Sequence, residues 1–424
     1  MGLGLALEFL PRPHGLARRR ADAAELAEIL RAECVREWPL LAGIARVLPV
    51  EDHWSVRLLP CEEDVSVFQT GNRVRFWAHT SSAGPGYHAF LVHALDRVAE
   101  RDGGAWHDSG ADGESTVLDD VGYFEDRDFS RLQRSMAEYL KVLANSVSAR
   151  ASPGCSCLSL PIGLPVLRET GYLTPTGFLD QDALSELGRR EGDELLRAAQ
   201  TWFPWWNGSP EAALNGIARS LLFHQPWHVP DDEDERAQAE FARAILERLP
   251  EGTRFGNSPV QELGRELAAL LSSNAPDLVP DPAGYGYRRQ EVEFSPFGGM
   301  KLGLPGYWHR TRENPGVAGF CFGDRSLHIS SYQARSQGAP IPAVQILAGQ
   351  RERQPASALW RCEWNEPGNQ GLAWCEGSEA RDGFHVVTAL KAADGRLLHA
   401  TITYLDASAH DWAREIAAQI RILA

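Results

Sequence analysis

The residues best placed to do chemistry lie in one short loop, His79-Thr80-Ser81-Ser82-Ala83-Gly84-Pro85-Gly86-Tyr87-His88. Hydroxyls and backbone amides of Thr80, Ser81, Ser82, Gly84 and Gly86 could gather a phosphate or carboxylate. The loop feeds the start of a helix, where free N–H groups and the positive end of the dipole meet. His79 and His88 flank it as acid and base. The loop has no G-x-x-x-x-G-K-[ST] lysine and does not match G-x-G-x-x-G, so it names no reaction. The same residues also describe an ordinary strand-to-helix turn, with one histidine bonded locally and the other exposed.

Other groups have bland counterparts that account for them better. Asp119, Asp120, Glu125, Asp126 and Asp128 form an acid-dense loop suited to Ca²⁺ or Mg²⁺. It lacks the EF-hand order, and a solvated loop before a helix at Ser130 accounts for it. The run from Asp231 to Glu235 reads as a helix start, where acids favour the dipole. His224 and His228 stand four apart, as metal ligands on a helix do, but Pro226 between them breaks that geometry. The expectation is no metal and no cofactor. Cys155 and Cys157 are C-x-C rather than C-x-x-C and have no cationic neighbour to activate a thiolate. No G-x-S-x-G elbow is present. Trp205, Trp206 and Trp227 are the candidate protein interface, since aromatic residues dominate binding hot spots. The clusters that hold them, with Trp202, Phe203 and Phe223, would also fill a helical core.

The elements that must position these groups follow from periodicity. Val74 to Ala78 reads as a strand, and the helix after the loop, from about Ala89, carries Phe90, Leu91, Ala94, Leu95 and Val98 on one stripe. Ala21 to Glu37 is a helix. Trp54 to Leu59 and Val65 to Gln69 are strands of an antiparallel sheet, with Gly71 and Asn72 as a turn. Ser130 to Ser146 returns to helix, and residues 151–176 are punctuated by Pro and Gly. From Asp180 to about Asn274 the pattern is helical, with Ser209-Pro210-Glu211 as one helix start. Asn274 to Tyr287 reads as a linker, and short β runs with a final helix from Ala409 follow it.

The expected fold class is α+β in two domains. Residues 1–280 form an antiparallel sheet with helices and a helical part at about 180–274, and residues 288–424 form an α/β/α sandwich on an antiparallel sheet. A length of 424 residues exceeds what one core usually fills. The second region opens with FSPFGGMKLGLPGYWHRT, passes through GLAWCEGSEARDGFHVVTALKAADGRLLHATITY and closes with HDWAREIAAQIRIL. That succession resembles the PsbP-like and DcrB-like sandwich superfamily. The resemblance implies a small adaptor or chaperone of the kind that accompanies effectors of type VI secretion, and it brings no catalytic residue.

Forty-two Lys and Arg against 57 Asp and Glu give a net charge of −15, which repels nucleic acid and anionic membranes. No run approaches the length of a membrane span. Seven scattered Cys fit the cytoplasm better than a disulfide framework. The expected role is a non-enzymatic bacterial protein-binding factor, an immunity protein or effector adaptor whose partner is a toxin or secreted effector. An enzyme acting on a small anionic or amide substrate at the 79–88 loop is the alternative, and a structural scaffold subunit is the second.

Overall fold

A computed structural model describes residues 3–11, 21–60, 62–107, 118–149, 154–160, 164–272, 278–297, 299–311, 316–353, 359–365, 370–377 and 383–422. The strands at 359–365 and 370–377 are described as backbone. The chain is a mixed α+β protein. It opens with β1 (Gly4–Pro11), α1 (Ala23–Glu37), β2 (Arg46–Pro49), β3 (Trp54–Arg57), β4 (Val65–Thr70), β5 (Arg73–His79) and α2 (Pro85–Asp102). Then come β6 (Gly104–His107), β7 (Leu118–Asp119), α3 (Tyr123–Asp126) and α4 (Phe129–Ser148). The first sheet runs β2-β3-β4-β5-β1-β6, with β7 also on β1. In β5 Val74, Phe76 and Ala78 are buried while Arg73, Arg75 and Trp77 are not, the period-2 pattern of a half-covered strand. Leu26 and Leu30 of α1 and Leu91, Leu95 and Val98 of α2 join those side chains in one core.

Strand β1 goes beyond the elements expected from the sequence. It lies between β5 and β6 in the sheet, and its Leu5, Leu7 and Phe9 are buried. The helix α2 starts at Pro85, four residues before the expected start, because proline suits a first helical turn. Every residue from Ala83 to Val92 is buried, so this end of the helix has no solvent face.

Short strands β8 (Cys155–Cys157), β9 (Val166–Leu167), β10 (Gly171–Thr174) and β11 (Gly177–Leu179) precede the helices α5 (Gln181–Leu187), α6 (Gly192–Trp202), α7 (Pro210–His224) and α8 (Glu233–Leu246). A two-residue pair, β12 (Arg254–Phe255) and β13 (Ser258–Pro259), leads into α9 (Val260–Leu271). The Ser209 hydroxyl accepts from the Ala212 amide and the Asp232 carboxylate accepts from the amides of Asp234 and Glu235, so both expected helix starts are capped.

The remainder holds β14 (Glu291–Phe294), β15 (Met300–Pro305), β16 (His309–Thr311), β17 (Val317–Phe322), β18 (Arg325–Gln333), β19 (Arg335–Ser336), β20 (Ala339–Pro340) and α10 (Ala343–Arg351). It ends with β21 (Leu359–Asn365), β22 (Gln370–Gly377), β23 (His385–Ala393), β24 (Arg396–Tyr404), α11 (His410–Gln419) and β25 (Arg421–Ile422). Seven strands form an antiparallel sheet in the order β16-β17-β18-β24-β23-β22-β21. Alternation along β23 sends Val387 and Ala389 into a core with Ala413 and Ile416 of α11. Leu390 and Ala392 point the other way, against Ile346 and Leu347 of α10. One helix therefore covers each face, the sandwich layering expected of residues 288–424.

The segment read as a linker is clamped where it is described. Arg289 is 2% exposed, holds Glu266 with both terminal nitrogens, and places its guanidinium 3.6 Å from the ring centre of Trp227. Gly286, at φ +120°, lets this turn approach so closely that a Cβ would lie 2.5 Å from Trp227 Nε1. The Tyr287 hydroxyl donates to the Pro165 carbonyl at 2.9 Å. Strand β9 pairs with β14, and Leu173 packs into the core of the later residues. The two halves are interleaved along this seam.

Candidate functional site

The 79–88 loop is a packed corner. Thr80 and His88 are fully buried and Ser81 is nearly so, whereas His79 and Ser82 keep part of their surface. Thr80 Oγ1 and His88 Nδ1 share a 2.9 Å hydrogen bond, and His88 Nε2 faces Asp119 Oδ1 at 3.3 Å. That hydroxyl–imidazole–carboxylate order resembles a catalytic relay, but it is closed to substrate. Burial opposes ionisation of Asp119, yet His88 and the amides of Phe124 and Val121 hold its pKa below the usual range. His79 Nδ1 lies 2.6 Å from Glu63 Oε2. The Ala83 amide donates to the Glu62 carboxylate, and burial pushes the Glu62 pKa up to about 8.

The glycines serve contact with protein. The Gly86 amide donates to the Trp205 carbonyl at 2.9 Å, and the Trp205 amide donates to the Ala83 carbonyl at 2.8 Å. A Cβ on Gly86 would lie 2.0 Å from the Asn207 carbonyl oxygen, and one on Gly84 2.6 Å from Phe203 Cβ. Two candidates read separately from the sequence are therefore one contact.

Trp205, Trp206 and Trp227 are not an exposed face. They are 0%, 9% and 1% exposed, and the interface reading of them is corrected. Trp205 meets Trp38 edge-on at 5.2 Å and packs near Phe90 and Tyr87, joining α1, α2 and the helical layer. The turn after Pro204 points its aromatics inward because α2 lies under it. The acid loop is likewise occupied: Asp120 accepts from the Gly4 amide, Asp126 pairs with Arg131, and Asp128 caps α4. Burial raises the Cys155 and Cys157 pKa values, the latter to about 11, so both thiols stay protonated.

Open space with charged walls lies elsewhere. A cavity of about 350 Å³ is lined by Arg46, Arg57, Glu62, Asp64, Asp232 and Asp234 among others. A second, of about 800 Å³, is lined by Asp231, Asp232, Glu235, Arg310 and Thr311 with Val317 and Ala318. They share Asp232 and Glu235, so the first turn of α8 forms a common wall between the N-terminal sheet and β16–β17. Six acidic side chains, Glu62 among them, and three guanidiniums line the two cavities. Arg57 bonds Asp234 at 2.8 Å and Arg46 bonds it at 3.1 Å, which fixes α8 to the sheet.

Histidines meet carboxylates at this wall. His228 Nε2 lies 3.1 Å from Glu235 Oε2, and His309 Nδ1 lies 2.7 Å from Asp231 Oδ1. The two imidazole rings stack with centres 3.9 Å apart. Burial lowers the His228 pKa, with Glu235 pulling the other way. Burial works against ionisation of Glu235, but His228 and the Asp231 amide outweigh it and bring its pKa down to about 2. Donor atoms of His228, Asp231 and His309 lie within 4.8 Å of one another, a set able to hold a metal ion. Sequence reasoning paired His228 with His224, which instead bonds the Thr174 carbonyl at 3.0 Å. Only the long-range placement of β16 brings in His309, and no local spacing signals it.

No family model matches the chain, and no curated protein matches it. Among solved structures, the chain is similar to the solution structure of cyanobacterial PsbP (CyanoP) from Synechocystis sp. PCC 6803. That likeness has 13% identity and a TM-score of 0.24, and it covers 31% of this chain and 92% of that one. A crystal structure from Bacteroides thetaiotaomicron VPI-5482 is similar at 15% identity and a TM-score of 0.24. It also covers 31% of this chain, which spans only 48% of that protein.

Proposed function

We propose that this chain is a non-enzymatic binding factor that receives a basic partner protein in the cleft along the first turn of α8. The observation that carries this reading is the acid-rich wall of two adjoining cavities. Asp231 and Asp234 are exposed on that wall and Glu233 is exposed beside them in the same turn, while the hydroxyls of Thr80 and Ser81 and the imidazole of His88 are enclosed. A net charge of −15 supports it, because complementary charge steers association and discriminates against anionic partners. Within this reading the partner is a secreted effector or toxin, and the chain acts as its adaptor or immunity protein. The experiment is to identify co-purifying proteins by mass spectrometry, purify the leading one, and titrate it calorimetrically against wild type and Glu233→Gln/Asp234→Asn. The double substitution keeps the Asp232 cap. We expect at least about tenfold weaker binding and a marked salt dependence. Equal affinity for both proteins would refute the cleft as the docking surface.

A further inference from the structure

We propose that His228, Asp231, Glu235 and His309 form a binding site for a divalent transition-metal ion of the zinc class, held across the seam between the helical part and β16. Its donors come from three places: the loop after α7, the first turn of α8, and the first residue of β16. Two imidazoles and two carboxylates suit a borderline ion in tetrahedral coordination. The set excludes a hard ion such as Ca²⁺, which takes six or more oxygens.

Several observations separate this cluster from ordinary ion pairs. His228 is 4% exposed, yet neither of its ring nitrogens has an aligned hydrogen-bond partner among the described residues. The same holds for Nδ1 of His309, despite its short distance to Asp231. Buried nitrogens rarely go unpartnered, and here unaligned nitrogens lie among carboxylate oxygens within 4.8 Å, the donor mixture a metal site presents. The donors are also held in place. The Asp231 amide donates to Glu235 Oε2 at 3.0 Å, and Trp227, just before His228, adopts φ +59° under the Arg289 guanidinium. The 800 Å³ cavity, lined by both carboxylate residues, gives an ion its way in. Arg288 lies within electrostatic reach of Glu235 and His228.

The test uses the full chain, dialysed against a chelator and titrated with Zn²⁺ by calorimetry, and with Co²⁺ by visible absorption. One equivalent should bind, with an intense tetrahedral Co²⁺ spectrum and a raised midpoint of thermal unfolding. His309→Ala and Asp231→Asn should each weaken Zn²⁺ binding at least about 100-fold. His79→Ala, which removes a histidine outside the cluster, should bind as wild type does. Asp231 is exposed, so its substitution keeps the test decisive if the His309 variant fails to fold. Lack of stoichiometric binding, or undiminished binding by Asp231→Asn, would overturn the proposal.

Discussion

Glu62 carries a carboxyl group into a place where charge is costly, and its pKa of about 8 means the folded protein binds that proton far more tightly than the unfolded chain does. The sign follows from linkage. A raised folded-state value gives stability that is complete below the unfolded value of 4.5 and lost as pH rises through about 8. Urea unfolding at pH 5 and pH 9 should show wild type losing roughly 2–5 kcal/mol over that range. Glu62→Gln, whose amide oxygen can still accept from Ala83, should lose much less. His224 works in the opposite direction: burial lowers its pKa to about 4, so stability is lost as pH falls from 6.5 towards 4. An NMR titration should find its ring neutral at pH 5.5. Neither shift was legible in the sequence, because burial depends on neighbours distant in the chain. The types of residue in the 79–88 loop were legible, and so was the bland alternative of a local histidine bond, which describes His88 with Thr80.

The contact between residues 83–86 and 203–207 shows how far element-level reading reaches. The strand β5, the helix α2, the two-residue turn at Gly71 and Asn72 and the cap at Ser209 follow from period and local chemistry. The docking of the two segments does not, since glycine spacing suits a ligand's approach and another backbone's approach equally well. Gly86→Ala would drive a methyl group into the Asn207 carbonyl and Trp205 ring. We expect a loss of about 2–4 kcal/mol in chemical denaturation. Trp205→Ala should cost about 3–5 kcal/mol by emptying the space among Trp38, Tyr87 and Phe90. If both variants unfold at the wild-type midpoint, the loop is not held by this contact.

At the scale of the molecule, the α+β layering and the acidic balance were legible in the sequence, because alternation and composition report layers and charge directly. The seam was not. Val166 and Leu167 pair with β14, and Tyr285 to Arg289 fold onto α7 and α9, pairings that no local pattern announces. Arg289→Ala would strip the cation from Trp227 and leave Glu266 without its guanidinium, at an expected cost of about 3 kcal/mol in urea unfolding. The same seam forms the cleft at α8, where the acidic wall faces β16 and β17. The most direct measurement is the affinity of the purified partner for three forms of the chain: wild type, Glu233→Gln/Asp234→Asn, and His79→Ala/Ser82→Ala. The cleft variant should bind at least about tenfold more weakly while the loop variant binds as wild type. Loss of binding in the loop variant, with the cleft variant unaffected, would contradict the account.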